Sequence, residues 1–450
     1  MSGFNDTICA PSTPTGESAI AGIRLSGPLC KEIAEKSFGK SVQPRIACLG
    51  NYKDVSQKTV DSVLYVYFKA PASYTGEDCL EIFSHGNPFI VQKLLDDLVK
   101  KGCRMADHGE FTRKAFLNKK LDLSQAQAVS LSISARSQAA LTASQKQLAG
   151  ELGKRINDYT DSLINVCALV EAYIDFPEDN LPEEDKNRIV VLMDDICLKL
   201  SNMVANSKYT KAVHNGINLA IIGEPNAGKS SLLNLLLGSE RAIVSDIAGT
   251  TRDFISEKLN IGDYLFNITD TAGLRNSTDK IEKIGVERAK EAAKAADMIL
   301  LVVDSSQKPD INEYKDLVGQ NNTLLVLNKK DLPSNDEALQ LLDGVRRVEI
   351  SCKAPLHAAQ TLREAILAFV AEKYIVPQND DILVSAKNAQ NMEFAINSLE
   401  AAKKLILSDM PAELAASEIK NALENLGEIV GKVDCEEILD KIFSKFCIGK

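Results

Sequence analysis

An eight-residue loop that follows a short apolar run constrains this 450-residue chain more than any other feature. Residues 223–230 read Gly-Glu-Pro-Asn-Ala-Gly-Lys-Ser, with an apolar run at 218–222 before them and a leucine-rich stretch at 232–236 after them. Glycines at 223 and 228 let the backbone N–H groups point inward at phosphate oxygens, and the following helix contributes its positive N-terminus. The sequence therefore predicts a phosphate-binding loop in which Lys229 contacts phosphate and the Ser230 hydroxyl ligates Mg²⁺.

Length and composition predict a globular protein of two or three domains, because a single core rarely serves 450 residues. The formal net charge of −10 argues against a protein that coats nucleic acid by charge alone, so any RNA contact should be local or shared with a partner. Ten cysteines occur without C-x-x-C pairs, and the N-terminus has neither a basic patch nor an apolar segment. We therefore expect a reducing, cytoplasmic location without a membrane span.

Changes in residue pattern predict an α/β and α multi-domain fold made of four segments. Residues 1–119 mix short apolar runs with turns, as in a small α/β domain, and the Gly- and Pro-free stretch 110–149 predicts long helices. Residues 120–213 and 375–450 are helical in pattern and form one helical domain from two segments. Between them, residues 214–374 alternate strands with helices, which predicts an inserted domain with a mostly parallel sheet covered by helices on both faces. We expect its strands at 217–222, 264–269, 298–303, 323–327 and 347–350.

Three further motifs occur in the order that a GTPase requires. The first, residues 270–273, reads Asp-Thr-Ala-Gly, and its aspartate suits a water-mediated contact to Mg²⁺. The second, residues 328–331, reads Asn-Lys-Lys-Asp, and its carboxylate can accept both N1–H and the 2-amino group of guanine, a donor pair that adenine lacks. The third, residues 351–353, matches a last guanine loop. The predicted GTP-binding residues are Asn226, Ala227, Gly228, Lys229, Ser230, Ser231, Ser245, Asp246, Ile247, Ala248, Gly249, Thr250, Thr251, Asp270, Thr271, Ala272, Gly273, Asn328, Lys329, Asp331, Ser351, Cys352 and Lys353.

Residues 245–253 lie where a first switch belongs, and we expect Thr251 to be the second Mg²⁺ ligand. Leu274 follows the D-x-x-G motif, where many small GTPases have a glutamine that orients the attacking water. Another polar group must do that work, and Glu282 is a candidate, although by composition alone it fits a solvent-exposed helix charge better. A monovalent cation held by Asn226 can supply the positive charge that an arginine finger would give.

Four stretches point to a known family: Thr-Gly-Glu-Asp at 75–78, Gly-Glu-Phe-Thr-Arg-Lys-Ala-Phe-Leu-Asn-Lys-Lys-Leu-Asp-Leu at 109–123, Gly-Thr-Thr-Arg-Asp at 249–253 and Phe-Cys-Ile-Gly-Lys at 446–450. Through them the chain resembles the MnmE (TrmE) family of tRNA modification GTPases over its whole length.

The resemblance implies an N-terminal domain, related to tetrahydrofolate-binding folds, that dimerises and holds 5-formyl-tetrahydrofolate or a related one-carbon folate. It also implies a homodimer that joins an FAD-containing MnmG (GidA) partner in a heterotetramer-type complex. Together they would add an aminomethyl or carboxymethylaminomethyl group at C5 of the wobble uridine of certain tRNAs.

The same resemblance assigns roles to single residues. K⁺ would be bound by Asn226, Ser245, Ile247 and Thr250, Glu282 would join Lys229 as a catalytic residue, and Cys447 would be a thiol in the modification step. Without the resemblance, Cys447 fits a buried structural thiol, and the four folate candidates fit surface charges. Those folate candidates are Arg24, Glu81, Lys120 and Lys450.

Two other functions would also use a GTPase domain. A GTP-switched ribosome-assembly factor explains that domain but leaves the N-terminal domain and Cys447 unused. A dynamin-like scaffold would need a basic or apolar membrane-binding tip, and the sequence offers none.

Overall fold

The computed structural model describes residues 6–175, 183–238, 256–270, 291–308, 320–333, 335, 346–374, 384–408, 410–431, 446 and 449. The chain divides into two compact units, each assembled from segments that are distant in sequence. One consists of Met1–Ser130, Gln147–Pro182 and Lys404–Lys450, and the other of Leu131–Lys146 and Glu183–Lys403. Among the described residues, no helix combines the length and the apolar character needed to span a bilayer. The four segment boundaries given above stay a prediction.

The first unit begins with a six-stranded sheet of order β3-β4-β5-β2-β1-β6. All its strand pairs are antiparallel except β1 with β6, which is parallel. Helices α1 and α2 pack on one face, and together they confirm the predicted N-terminal α/β fold. The elements are β1 (Ile8–Pro11), β2 (Ser18–Ser26), α1 (Cys30–Phe38), β3 (Ala47–Lys53), β4 (Thr59–Phe68), β5 (Cys79–Gly86), α2 (Pro88–Lys100) and β6 (Arg104–Met105).

A buried polar network fixes α2 to this sheet. The Asp97 carboxylate accepts hydrogen bonds from the Tyr52 hydroxyl at 2.7 Å and from the Val55 amide at 2.8 Å. Its Oδ2 also lies 2.6 Å from Lys101 Nζ, which in turn donates to Ser37 Oγ on α1 at 2.8 Å. Because each charge has a partner and further hydrogen bonds, the network can be buried without an uncompensated desolvation cost.

The helices that follow are shorter than the sequence predicted. The stretch 110–149 forms three helices, and the first of the two breaks is a turn at Lys119, which has a φ of 57°. Asp122 Oδ1 accepts from the Gln125 amide at 2.8 Å while Gln125 Oε1 accepts from the Asp122 amide at 3.0 Å, a reciprocal cap that begins a new helix. The helices are α3 (Glu110–Leu117), α4 (Leu123–Ser134), α5 (Gln138–Leu148), α6 (Glu151–Asp175), α7 (Glu183–Ala205) and α8 (Ser207–Asn215).

Two later helices, α11 (Ala386–Leu407) and α12 (Ala412–Val430), continue the helical part of the chain. Helix α12 packs along α6, and Lys420 Nζ lies 2.7 Å from Glu171 Oε1. The predicted helical domain built from two sequence segments is therefore confirmed.

The second unit contains a six-stranded sheet of order β12-β11-β10-β7-β9-β8 within the described residues. Every neighbouring pair is parallel except the hairpin β8–β9. Strands β10 and β11 are buried along their whole length, as expected for a parallel sheet covered on both faces. One face packs on α9 and α10, and the other on the short helical stretch 291–295, which confirms the predicted inserted domain. The elements are β7 (Ile217–Gly223), α9 (Lys229–Leu237), β8 (Ser256–Ile261), β9 (Tyr264–Asp270), β10 (Met298–Asp304), β11 (Thr323–Asn328), β12 (Arg347–Glu349) and α10 (Pro355–Lys373).

The turn of the β8–β9 hairpin contacts the helical segment that begins at residue 131. The Ala139 amide donates to the Asp263 carbonyl at 3.1 Å, and Asn260 Nδ2 donates to the Arg136 carbonyl at 3.2 Å. The hydroxyls of Tyr209 and Tyr264 lie 3.4 Å apart at the same place. The hairpin turn is thus attached to helices α5 and α8 of its own unit.

Candidate functional site

The loop after β7 requires glycine at two positions. Gly223 ends the strand with a φ of 152°, and a Cβ there would lie 2.1 Å from the Val302 carbonyl oxygen. Gly228 precedes α9 with a φ of 103°, and its Cβ would lie 2.1 Å from Asn328 Nδ2. The strand, the loop and the helix therefore have the geometry of a phosphate cradle whose backbone leaves no room for a side chain at these two positions.

Lys229 bends back over this loop. Its Nζ donates to the Gly223 carbonyl at 2.8 Å and to the Glu224 carbonyl at 2.6 Å, so the ammonium lies above the loop, beside the first turn of α9. Ser230 and Ser231 follow in that turn with exposed side chains. A positive charge and a helix N-terminus at one place favour the binding of an anion.

Asn328 connects this loop to the base-recognition motif. The side chain is buried, its Nδ2 donates to the Ala227 carbonyl at 2.9 Å, and its Oδ1 accepts from the Lys329 amide at 2.8 Å. The Cys352 amide also approaches Oδ1, at 3.4 Å. Ser305 fixes the Asn328 carbonyl by donating from both its amide, at 3.0 Å, and its hydroxyl, at 2.8 Å. One side chain therefore brings together three of the predicted nucleotide-binding segments.

Asp331 presents a carboxylate beside the last predicted loop. Its Oδ1 accepts from Ser351 Oγ at 2.6 Å, and its Oδ2 lies 2.8 Å from Lys353 Nζ. The hydrogen bond from Lys353, followed by that from Ser351, lowers the pKa of Asp331, so the group is an ionised acceptor at neutral pH. Burial raises the pKa of the neighbouring Cys352 thiol, which therefore stays protonated.

Part of the predicted site lies outside the described residues. This applies to Ser245, Asp246, Ile247, Ala248, Gly249, Thr250 and Thr251, to Thr271, Ala272, Gly273 and Glu282, and to Cys447 and Lys450. The backbone of Asp270 is described and pairs with Ile221, two residues before Gly223. That pairing puts the end of β9 next to the phosphate loop.

In the first unit, Arg24 and Glu81 form an ion pair across β2 and β5. Arg24 Nη2 lies 2.8 Å and Nε 2.9 Å from Glu81 Oε1, and both side chains are partly exposed. The guanidinium is 5.3 Å from the ring centroid of Tyr74 and 5.9 Å from that of Phe111. Two of the four folate candidates are therefore brought together beside aromatic rings.

The end of the chain reaches the same region. Phe446 is buried in a cluster with Leu123, and its carbonyl lies 2.8 Å from His108 Nδ1. Gly449 has a φ of 93°, and a Cβ there would lie 2.0 Å from the Pro11 carbonyl oxygen. Pro11 directly follows Ala10, the β1 residue that pairs with Arg24. Sequence reasoning missed His108, for which no local signal exists, because its partner is 338 positions away.

The two N-terminal motifs that carry the family resemblance contact each other. Lys114 Nζ lies 2.8 Å from Glu77 Oε2, which also accepts from Ser26 Oγ at 2.8 Å. Lys120, the third folate candidate, is exposed and passes close to Gly76, where a Cβ would be 3.2 Å from Lys120 Cγ. The Glu77–Lys114 pair therefore holds the loop at 75–78 against α3, the helix that precedes Lys120.

Comparisons with known proteins cover the whole chain. A family model described as GTP-binding protein TrmE N-terminus matches residues 7–120, and one described as MnmE helical domain matches residues 123–447. The tRNA modification GTPase MnmE of Opitutus terrae is 42% identical over 453 residues and covers 100% of both chains. That of Aquifex aeolicus is 40% identical and covers 99% of this chain and 100% of the relative. Among solved structures, the G domain of a T. maritima FeoB iron transporter is 25% identical, covers 34% of this chain and 98% of that chain, and has a TM-score of 0.24.

Replacing Gly228 with alanine tests the cradle. We expect Gly228→Ala to weaken GDP binding by at least about 100-fold, because the new Cβ must displace Asn328 and the backbone φ disfavours any side chain. Isothermal titration with GDP and Mg²⁺ measures the loss. Gly39→Ala is the matched control, since Gly39 also has a positive φ, 66°, but its Cβ would meet nothing within 4 Å. An affinity of Gly228→Ala within about threefold of the parent would contradict the cradle.

Proposed function

The chain belongs to the MnmE family of tRNA modification GTPases, and from that membership we propose that it hydrolyses GTP in the service of tRNA modification. The observation that carries the proposal is the bond from Asn328 Nδ2 to the Ala227 carbonyl. It holds the base-recognition motif against the phosphate loop, as one nucleotide that spans both would require.

Guanine is the base that this site suits. An ionised Asp331 carboxylate offers acceptors to the paired N1–H and 2-amino donors of guanine, whereas adenine presents no such pair. Ser351 and Lys353 each engage one oxygen of that carboxylate and fix its direction, and lone pairs remain on both oxygens.

Magnesium would bind through Ser230 and Thr251. Ser230 suits this role because its hydroxyl is exposed one residue after Lys229, and Mg²⁺ prefers hard oxygen ligands and substrate phosphates. When bound, Mg²⁺ neutralises phosphate charge. The role of Lys229 is to hold an ammonium over the loop, where it would contact the β and γ phosphates.

Potassium would bind through the Asn226 side chain, Ser245 and the backbones of Ile247 and Thr250. Asn226 supports this role because its side chain is exposed in the phosphate loop at a φ of 61°. A cation there would supply positive charge beside the β and γ phosphates. The attacking water would be oriented by Glu282, since Leu274 cannot hydrogen bond through its side chain.

Comparing hydrolysis in KCl and NaCl at equal ionic strength tests the potassium site. We expect at least about fivefold faster turnover in KCl, because a cation that fits the site stabilises the charge that develops on the phosphates. Asn226→Ala should turn over equally slowly in both salts, while Asn218→Ala, near the start of β7 and away from the loop, should keep the preference. Equal rates in the two salts for the parent protein would rule out the cation mechanism.

A one-carbon folate would be held by Arg24, Glu81, Lys120 and Lys450. A glutamate can accept from the N–H edge of a pterin, and cationic side chains can pair with the folate carboxylates. The Arg24–Glu81 pair beside Tyr74 and Phe111 supports such a site, because aromatic rings accompany the charged groups there. The folate would supply a one-carbon unit, and Cys447 would serve as a thiol in the modification step.

The open face of the first sheet suits a homodimer. Leu49, Leu64 and Phe83 lie in register across β3, β4 and β5, on the face opposite the one that packs on α1 and α2. Leu49 is 73% exposed and Leu64 is 42% exposed. A row of exposed and partly exposed apolar side chains on a sheet is typical of an interaction surface, and we propose a second copy of the chain as its occupant.

Charge substitutions on this row test the dimer. Leu49→Lys combined with Leu64→Lys should shift the sedimentation of the protein from dimer to monomer, since each buries a charge in the proposed interface. The control is Val191→Lys, a change of an apolar residue on α7 that is 68% exposed, which should leave the dimer intact. A dimer that survives the double substitution would exclude this face.

The complete activity we propose requires an FAD-dependent MnmG (GidA) partner. With it, the cytoplasmic homodimer would form a heterotetramer-type complex that adds an aminomethyl or carboxymethylaminomethyl group at C5 of the wobble uridine. The net charge of −10 supports tRNA contact through the complex rather than through this chain alone.

Nucleoside analysis of tRNA tests this activity. In a strain lacking the gene, we expect the C5-modified wobble uridine to disappear, to return with the parent protein and to stay absent with Lys229→Ala, which removes the ammonium from the phosphate loop. Lys258→Ala, on β8, serves as the control and should restore the modification. Unchanged wobble nucleosides in the deletion strain would favour the alternative, a GTP-switched ribosome-assembly factor.

A further inference from the structure

Asp304 is a buried carboxylate next to the base-recognition motif. It is the last residue of β10, and its backbone pairs in register with Asn328 at the end of β11. The six residues before it are buried and apolar, so a charge at this point needs partners. The predicted nucleotide site did not include Asp304.

Both carboxylate oxygens of Asp304 have partners. Oδ2 accepts from Lys329 Nζ at 2.6 Å, while Oδ1 accepts from Ser306 Oγ at 2.6 Å and from the Ser306 amide at 3.0 Å. Burial alone would raise the pKa of Asp304, but the hydrogen bonds from Lys329 and Ser306 outweigh it and leave the pKa below its usual value. Asp304 is therefore a fixed negative charge against which Lys329 is held.

Lys329 needs such an anchor because of its backbone. It has a φ of 65°, the left-handed region that costs an ordinary residue about 1–2 kcal/mol. Its carbonyl accepts from the Leu332 amide at 2.9 Å, and the next residue, Lys330, donates its amide to the Ile350 carbonyl at 3.1 Å. This turn carries Asp331, so the conformation of Lys329 determines where the guanine-binding carboxylate points.

We propose that Asp304 is a positioning residue for guanine recognition: through its ion pair with Lys329 it holds residues 328–331 in the conformation that binds the base. This inference rests on the proposed function, because it assumes that those residues bind guanine. Asp304 acts through Lys329 and not by contacting the base itself, because its two carboxylate oxygens accept from Lys329 and Ser306.

A double-mutant cycle on GDP affinity separates positioning from general stability. The set comprises the parent protein, Asp304→Asn, Lys329→Ala and the double variant, titrated calorimetrically with GDP and Mg²⁺. We expect Asp304→Asn to weaken binding about tenfold in the parent and less than about twofold when Lys329 is already alanine, since coupled residues do not add. Glu349→Gln is the matched control, because Glu349 pairs with the neighbouring Lys330 at 3.0 Å but is more exposed, and it should change GDP affinity less than about twofold.

Ser306→Ala keeps the inference testable if Asp304→Asn does not fold. It removes one donor to Oδ1 and leaves the charge of Asp304, so we expect a loss of about twofold to fourfold that again vanishes in Lys329→Ala. Equal losses in both Lys329 backgrounds, or no loss at all, would overturn the inference and leave the proposed function standing. A parent protein that binds no GDP would overturn both.

Discussion

The buried side chain of Asn328 is the connection on which the nucleotide site depends. Its amide nitrogen bonds to the carbonyl of Ala227 in the phosphate loop, and its amide oxygen accepts from the backbone of its own motif and approaches the loop at Cys352. These segments follow the carboxyl ends of β7, β11 and β12, parallel strands of one sheet, and that edge of an open α/β sheet is where ligands bind. Because Gly228 has no side chain, Asn328 can approach the loop closely enough to make this bond.

A similar arrangement organises the first unit, where contacts distant in sequence bring the functional candidates together. The Glu77–Lys114 pair joins the two N-terminal motifs. The carbonyl of Phe446, near the C-terminus, lies within hydrogen-bond distance of the His108 ring. In both units the strands and helices place short polar segments side by side, and a few hydrogen bonds, buried or partly buried, fix their mutual position. Burial makes these bonds specific, since each would leave an unsatisfied group if its partner moved.

Much of the second unit could be predicted from sequence because its signals are local. The five expected strands occur within one residue at each end of the observed β7, β9, β10, β11 and β12, since an apolar run bounded by turn residues is a property of neighbouring positions. The long helices expected over 110–149 were wrong because a Gly- and Pro-free stretch can still be divided by caps. The Asp122-x-x-Gln125 pattern was a readable signal of that division. No local sequence signal identifies Asp304, His108 or the bond from Asn328 to Ala227. Each of these contacts depends on a partner supplied by another strand or by residues near the chain terminus.

We propose that residues 223–230 and 328–331 form one site for a guanine nucleotide. Competition between GDP and ADP for the full chain, titrated calorimetrically with Mg²⁺ present, tests it most directly. We expect GDP to bind at least about 100-fold more tightly than ADP, because only guanine offers the donor pair that Asp331 can accept. Equal affinities, a preference for ADP, or no heat with either nucleotide would contradict it.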